Sequence, residues 1–247
     1  VAPGSALRGG PSAAGSRRIP AGARGGTAPA AAKTQPEVIA VQLACTGCGR
    51  VYEVDSFIHP CGDCGEPIEV RYEPGEIAPE IALAGGGRSH GLLTDFAAVL
   101  PDLGGGVVSL GEGGSPFLEI GDLAERLGLP ELYLKNEASN PTGSFKDRGT
   151  AVALSWAAGH GYRSVGTVSS GNMAGSVGAY AARAGLPCII LVPAHLKPEK
   201  LFTIGVYGAD IVRVEGDYGE LYRRALALGR REGIYMAVSD DPWRIEG

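Results

Sequence analysis

Residues 164–192 read SVGTVSSGNMAGSVGAYAARAGLPCIILV. In this stretch two apolar runs, Ser164–Ser169 and Cys188–Val192, flank a helix-compatible segment at Met173–Ala184. A strand, a helix and a second strand in so short a length are typical of a βαβ crossover, which joins parallel strands of one sheet. The stretch therefore predicts an α/β fold built on a parallel sheet.

The same alternation of strand and helix continues on both sides of this stretch. The further predicted strands are Glu131–Lys135, Ile211–Val214 and Ile234–Val238, and the further predicted helices are Asp122–Leu127, Lys146–Ala158, Pro198–Tyr207 and Tyr218–Glu232. Ligands of parallel sheets bind at the carboxyl ends of the strands, against the amino ends of the helices that follow. The loops at that edge are therefore the candidate site.

The first loop at that edge contains Asn140-Pro-Thr-Gly-Ser-Phe-Lys146-Asp-Arg148. Ser144 can cap the following helix, and Lys146 falls in its first turn, where the helix dipole disfavours a cation. That field favours the neutral amine, which is the form that Schiff-base chemistry needs. The alternative is a solvated lysine. Asp147 and Arg148 are interpreted as structural ion-pair residues.

The second loop, Ser169-Ser170-Gly171-Asn172, lies between a predicted strand and the helix that follows it. Small residues and glycine at a helix start expose backbone N–H groups, which suits a carboxylate or a phosphate. The alternative is an ordinary Ser or Asn helix cap without a ligand.

Two CxxC pairs nearer the amino terminus predict a metal site. Cys45 and Cys48 are followed after twelve residues by Cys61 and Cys64, and four thiolates can converge tetrahedrally on one Zn²⁺. Such a site mainly folds a module that is too small to hold a core. Four glycines beside the cysteines are expected to form tight turns with positive φ: Gly47, Gly49, Gly62 and Gly65.

The surroundings of the thiols predict a rubredoxin-like zinc ribbon with short strands at Val51–Val54 and Ile68–Tyr72. A redox dithiol is the alternative, but no neighbouring group marks one thiol as activated. His59 lies between the two cysteine pairs and could replace one of the four cysteines as a metal ligand. Cys188 lies in an apolar run and is interpreted as a small core residue.

Charge and composition exclude several classes of protein. The 247 residues carry a formal net charge of −5 and are 44% hydrophobic, which argues against non-specific nucleic-acid binding. Between Cys45 and Cys64 the basic residue is Arg50 alone, too little for a phosphate backbone. No apolar run approaches the ~18 residues of a membrane span. Reduced CxxC thiols favour the cytoplasm.

Residues 1–36 contain basic side chains but no acid and are rich in Gly, Ala, Pro and Ser. This composition predicts a disordered tail. A leader that targets an organelle and a mis-assigned start are the alternatives. The chain is accordingly expected to divide into this tail, a zinc ribbon at 37–72, the first part of a large domain at 73–150 and a small α/β domain at 151–247.

Four motifs together resemble the threonine synthase family, within the fold type II pyridoxal-phosphate enzymes. They are the lysine loop Asn140–Arg148, the loop Ser169–Asn172, the segment Leu110-Gly-Glu-Gly-Gly-Ser-Pro116 and the segment Asp241-Pro-Trp-Arg-Ile-Glu-Gly247. An amino-terminal zinc ribbon also occurs in some members of this family. The resemblance covers roughly residues 40–247 and implies the tryptophan synthase β-like fold.

The resemblance also implies an activity and the residues that carry it. Threonine synthases eliminate phosphate from O-phospho-L-homoserine and add water at Cβ, with pyridoxal phosphate as the electron sink. Lys146 would hold the cofactor as a Schiff base and move protons at Cα and Cβ, with Phe145 beside it. Asn172 would bond the cofactor's phenolic oxygen. The remaining matched residues would bind substrate: Ser169, Ser170, Gly171 and Asn172 at the α-carboxylate, and Ser239 and Arg244 at the phosphate.

Three residues depart from the family pattern near the expected phosphate site: Met173, Val238 and Asp241. They leave open a cysteate synthase-like, threonine dehydratase-like or cysteine synthase-like lyase. A degenerate chain that acts as a binding module is a further alternative, which intact Lys146 and Asn172 disfavour. The Gly-rich loop for the cofactor phosphate is not found before Gly247, so we expect a truncated chain of doubtful activity. The family also implies a homodimer of the complete protein.

Overall fold

The computed structural model of the chain describes residues 41–54, 59–72, 91–97 and 99–247. All of them belong to one compact unit, Pro36–Gly247. The tail predicted at 1–36 lies outside the described residues. Within the described ranges, none of the helices has the length and hydrophobicity that a transmembrane span requires.

A small antiparallel sheet carries the cysteine pairs. Its strands are β1 (Val41–Cys45), β2 (Val51–Tyr52) and β3 (Ile68–Tyr72), in the order β2-β1-β3. This confirms the two strands predicted around the thiols and adds β1. Only Gly49 and Gly65 have the positive φ expected of the four glycines, at 72° and 78°. The expectation was wrong for the other two, Gly47 and Gly62.

A helical turn and a two-stranded antiparallel sheet precede the lysine loop. The helical turn is α1 (Leu92–Asp95), the strands are β4 (Phe117–Glu119) and β5 (Tyr133–Lys135), and α2 (Gly121–Leu127) connects the strands. Every residue of both strands is exposed. The sequence predicts α2 and β5, whereas β4 was not predicted.

A four-stranded parallel sheet forms the centre of the remaining chain and confirms the predicted fold class. Its strands are β6 (Val165–Val168), β7 (Cys188–Pro193), β8 (Asp210–Val214) and β9 (Tyr235–Met236), in the order β8-β7-β6-β9. The intervening helices are α4 (Asn172–Ala184), α5 (Pro198–Gly205) and α6 (Tyr218–Glu232). Alternate residues of β7 separate the two faces: Ile190 belongs to the core that contains α4, and Leu191 to the core that contains α6.

Helix α3 (Lys146–Gly159) connects the lysine loop to this sheet, and it packs against α4 and against α7 (Pro242–Ile245). Ten of its 14 residues are buried. The rings of Trp156 and Trp243 stack with centroids 4.9 Å apart, which joins α3 to α7. Helix α3 crosses the domain boundary expected at residue 150, and the division into domains stays a prediction.

The ribbon packs directly on this body. Leu43, Cys45, Cys61 and Ile68 share one buried cluster with Trp156 and Trp243. Strand β3 packs against α7, and the hydroxyl of Tyr72 donates a hydrogen bond to the Glu246 carboxylate. The cysteine module and the end of the described chain are therefore in contact.

Candidate active site

The loop before Lys146 is held by a buried carboxylate. Asp147 accepts hydrogen bonds from the Thr142 N–H at 2.7 Å, from the Thr142 hydroxyl at 2.6 Å and from the Ser176 hydroxyl at 2.7 Å. The Ser144 hydroxyl accepts from the Lys146 N–H at 3.2 Å, but the N-cap of α3 is Phe145 and no described side chain caps this helix, so the expected Ser144 cap is not formed. These bonds fix the start of α3 against α4.

The structural ion pair predicted in this loop has a different partner. Arg148 pairs with Glu137 at 2.9 Å, and Asp147 accepts hydrogen bonds from the loop and from α4 instead. Glu137 also accepts from the Ser115 hydroxyl at 2.6 Å and from the Asn140 side-chain amide at 2.8 Å. The hydrogen bond from Arg148 is the main cause that lowers the pKa of Glu137 to about 2.

Lys146 has no anionic partner in the part of the chain that the structure describes. Its Nζ lies 4.4 Å from the centroid of the Phe145 ring. Burial lowers the pKa of Lys146, and the charge of Arg244 lowers it further. The lowered pKa agrees with the neutral amine that the sequence predicts.

A small cavity of about 200 Å³ brings four predicted site residues together. Its lining is Phe145, Lys146, Gly149, Ser239, Arg244, Ile245 and Gly247. Lys146 and Gly149 come from the first turn of α3, and Arg244 comes from α7. The cavity therefore places an amine of lowered pKa beside a guanidinium and the exposed hydroxyl-bearing residue Ser239.

A larger cleft of about 530 Å³ lies at the amino end of α4. Its lining is Thr142, Ser170, Gly171, Asn172, Gly175, Lys200, Phe202, Thr203, Val206 and Tyr207. Ser169 is not part of the lining; its hydroxyl accepts from the Gly171 N–H at 3.3 Å. No described side chain caps α4, so the ordinary cap considered for this loop is not formed.

The lysine and this second loop line different cavities. Thr142, four residues before Lys146, is the contribution of the lysine loop to the larger cleft. Sequence reasoning missed Thr142, Lys200 and Thr203 as lining residues. Thr142 lies within the lysine motif, so the motif itself could have indicated it. Lys200 and Thr203 lie on a helix that no sequence motif marks.

Arg244 is held in a buried, polar setting. Its side chain is 7% exposed, and its Nε has no hydrogen-bond partner among the described residues. Asp241 caps α7 by accepting from the Trp243 N–H at 3.0 Å, and it accepts from the Tyr235 hydroxyl at 2.6 Å. Burial raises the pKa of Asp241 to about 6. A cation poor in partners is suited to bind an anion.

The three departures from the family pattern are all buried. Val238 lies in the core beneath α6, and Asp241 caps a helix. Met173 is 5% exposed, and its sulfur lies 3.8 Å from the Ser239 hydroxyl. None of the three lines either cavity.

The four predicted metal ligands converge. Their sulfur atoms all lie within 4.8 Å of one another, with Cys45 and Cys64 3.3 Å apart and Cys48 and Cys61 3.7 Å apart. A tetrahedral Zn²⁺ with Zn–S bonds of about 2.3 Å needs sulfurs about 3.8 Å apart, so the donors fit a structural zinc ion. The hydroxyl of Tyr52 is 2.9 Å from the Cys61 sulfur. That contact is the main cause that lowers the pKa of Cys61 to about 6.

His59 is not part of this cluster, so its candidacy as a ligand was wrong. Its side chain is fully buried, and Nε2 lies 3.0 Å from the Tyr222 hydroxyl and 3.0 Å from Asp240 Oδ2. Burial opposes ionisation of Asp240, but the hydrogen bond and charge of His59 lower its pKa. Cys188 is buried as predicted, and burial raises its pKa to about 12.

Comparison with known proteins finds relatives that match most of the chain. The threonine synthase of Methanocaldococcus jannaschii is 37% identical over 205 residues, which cover 82% of this chain and 50% of that protein. The threonine synthase of Methanosarcina acetivorans is 32% identical over 206 residues, which cover 83% of this chain and 50% of that protein. The chain thus spans about half the length of these curated relatives. Among solved structures, threonine deaminase isoform 2 of Solanum lycopersicum aligns with a TM-score of 0.49 at 28% identity, over 54% of this chain and 37% of that one.

The model of the family described as "Pyridoxal-phosphate dependent enzyme" matches residues 108–247. The match includes the lysine loop, the loop at the start of α4 and the segment with Arg244. It agrees with the fold type II class expected from the sequence motifs. This chain belongs to the pyridoxal-phosphate dependent enzyme family.

Proposed function

We propose that this chain carries the lysine-bearing part of a threonine synthase, which converts O-phospho-L-homoserine and water into L-threonine and inorganic phosphate. The observation that carries the proposal is the cavity that Lys146, Ser239 and Arg244 line together. The names of the relatives support the same reaction.

The residues present fit pyridoxal phosphate. An amine with a lowered pKa and no carboxylate partner in the described chain is suited to form a covalent link with the cofactor aldehyde. Lys146 would hold the cofactor, with Phe145 and Asn172 beside it. When bound, the cofactor withdraws electrons and so makes protons at Cα and Cβ of the substrate removable.

The roles of this chain follow from the chemistry of the substrate. The N–H groups of Ser169, Ser170, Gly171 and Asn172 would bind the α-carboxylate at the uncapped start of α4. Ser239 and Arg244 would bind the phosphate, because a guanidinium matches its oxygens. The Cγ–O bond breaks and its electron pair leaves with phosphate, and the proton removed from Cβ is replaced by one delivered to Cγ, which becomes the methyl group. Water gives its hydroxyl to Cβ and its remaining proton to the released phosphate. Lys146 would move the protons at Cα and Cβ.

The buried departures support threonine synthase over the other lyases considered. Met173, Val238 and Asp241 have packing or capping roles and line neither cavity, so they need not change the substrate. Retention of Lys146 and Arg244 in one cavity likewise supports an enzyme over a binding module.

The setting of the reaction is also part of the proposal. None of the five cysteines forms a disulfide, and cysteines in the reduced state support a cytoplasmic enzyme. Its partner would be a small amino-acid phosphate and not a nucleic acid. The homodimer of the complete protein stays a prediction, which sedimentation equilibrium can check.

The test combines a spectrum with an assay of the products. The purified protein is mixed with pyridoxal phosphate beside Lys146→Ala, and a borohydride-reducible imine band is expected in the first protein only. Phosphate and L-threonine are then expected in equal amounts when the complete protein that contains this chain is given O-phospho-L-homoserine. An imine band without these products would keep the family and reject the substrate, and equal spectra of the two proteins would reject Lys146 as the cofactor lysine.

A further inference from the structure

We propose that the cysteine ribbon positions the segment Ser239–Arg244, so that Zn²⁺ in the ribbon and a phosphate anion in the small cavity bind cooperatively. The inference rests on the proposed function in one respect, namely that Ser239 and Arg244 bind the phosphate of the substrate. Its structural part, that the metal orders this segment, is independent of the substrate.

The first contact that carries the inference starts beside a metal ligand. His59 lies two residues before Cys61, and its fully buried ring places Nε2 3.0 Å from Asp240 Oδ2. Tyr222 completes the contact, since its hydroxyl donates to both Asp240 oxygens, at 2.8 Å and 2.9 Å. Arg230 donates to the His59 carbonyl at 3.0 Å and holds the ribbon backbone in place. Asp240 is thus a residue of the segment that a polar side chain of the ribbon contacts directly.

A second contact holds the chain just beyond this segment. The Tyr72 hydroxyl, at the end of β3, donates to Glu246. Ser239 directly precedes Asp240, and Arg244 lies between Asp240 and Glu246 along the chain. Both residues line the small cavity, so the ribbon contacts limit the positions that the anion-binding groups can take.

The metal decides whether these contacts can form. The sheet of the ribbon has strands of five, two and five residues, and few of its residues are buried. A module of this size gains its folding free energy largely from the metal. Without the metal the ribbon is expected to release His59 and Tyr72. Asp240 and Glu246 would then lose these partners.

Cooperativity between the two ligands is the consequence, and it must be reciprocal. If zinc orders the segment that binds phosphate, phosphate must increase the affinity for zinc by the same factor. A coupling of about tenfold lies within the usual range for linked sites. His59, Tyr222 and Asp240 are positioning residues in this arrangement, since none of them lines the small cavity.

The experiment measures both affinities and the protection of the segment from hydrogen exchange. The protein loaded with zinc and pyridoxal phosphate is compared with protein from which a chelator has removed the zinc. We expect zinc removal to weaken binding of inorganic phosphate about tenfold, and phosphate to strengthen zinc binding by the same factor against a competing chelator. Amides of residues 239–247 are expected to lose protection, while those of β6 and β7 keep it.

Two substitutions test the proposed route. Tyr222→Phe removes the hydroxyl that bridges His59 and Asp240 and is expected to reduce the coupling to twofold or less. Tyr133→Phe removes the hydroxyl of an exposed tyrosine on β5 and is expected to keep it. Equal protection of 239–247 with and without zinc would overturn the inference. So would an equal loss throughout β6 and β7, because zinc would then be a general stabiliser.

The outcomes separate this inference from the proposed function. If the zinc-loaded protein binds no phosphate, the role given to Ser239 and Arg244 fails. The exchange measurement then still decides whether the metal orders the segment. If phosphate binds equally with and without zinc, the coupling is rejected. The proposed threonine synthase function is not contradicted by that result.

Discussion

The carbonyl oxygen of Arg244 lies 2.3 Å from the position that a Cβ on Gly149 would occupy. Gly149 is in the first turns of α3, and Arg244 is in α7. The absence of a side chain at 149 therefore allows the two helices to approach and sets the position of Arg244 relative to Lys146. A backbone atom causes the conflict, so rotation of a side chain cannot relieve it.

Gly149→Ala is therefore expected to destabilise the protein by about 2–3 kcal/mol, because α7 must move away from α3. Displacement of Arg244 is expected to weaken phosphate binding as well. Urea unfolding and phosphate titration measure the two effects. Gly121→Ala is the control, since its Cβ would meet nothing within 4 Å at the start of α2, and alanine there should be neutral or stabilising. Unchanged stability of Gly149→Ala would contradict the packing described.

Much of the parallel sheet is predictable because its strands are short apolar runs separated by whole helices. The predicted ends of β6, β7 and β8 agree with the structure to within one residue. Strand β9 comprises Tyr235–Met236, and the Ala237 N–H also donates to the Gly166 carbonyl at 2.8 Å, although the predicted run extends to Val238. An apolar run reports burial, and burial alone does not distinguish a paired residue from an unpaired one.

Strand β4 shows the opposite difficulty. Its three residues are all exposed, so no alternation of buried and exposed positions marks it in the sequence. The contact of His59 with Asp240 could not be predicted from the sequence either, for a different reason. These residues are far apart in the chain, and no spacing rule relates them. The CxxC spacing, in contrast, predicts the cysteine cluster because the ligands are local pairs.

Replacement of Arg244 by methionine is expected to raise the pKa of Lys146. Burial lowers this pKa and the charge of Arg244 adds to the effect, so the variant loses the second cause and keeps the first. A smaller fraction of neutral amine remains near neutral pH, and the imine with pyridoxal phosphate should form more slowly there. The rate of imine formation as a function of pH measures the change. Ser239→Ala alters no charge in the same cavity and should leave the pH dependence of the rate of imine formation unchanged.

Tyr52→Phe is expected to weaken zinc binding. The Tyr52 hydroxyl lies 2.9 Å from the Cys61 sulfur and accepts from the Gly62 N–H at 3.3 Å. A hydrogen bond to a ligand sulfur stabilises the metal-bound form, and loss of such a partner usually costs about 10- to 100-fold in affinity. Competition with a chromogenic chelator gives the affinity. Arg71→Gln, an exposed ribbon position paired with Glu69, should bind zinc as the unaltered protein does.

Glu137→Gln is expected to remove a contribution to stability that depends on pH. The folded protein holds the pKa of Glu137 at about 2, below its ordinary value of 4.5. The ionised carboxylate therefore stabilises the folded state fully above pH 4.5, and this contribution is lost as the pH falls towards 2. With allowance for screening by solvent, the loss at pH 7 should be about 1–2 kcal/mol.

Denaturant unfolding from pH 7 down to pH 2 measures this difference between the two proteins. The difference should be constant above about pH 5 and should shrink as the pH falls, because protonation removes the ion pair with Arg148 from the unaltered protein too. Glu69→Gln breaks an exposed pair with Arg71 and should change stability by less than about 0.5 kcal/mol at every pH. A difference for Glu137→Gln that stays the same down to pH 2 would mean that packing, and not charge, gives Glu137 its role in holding the lysine loop.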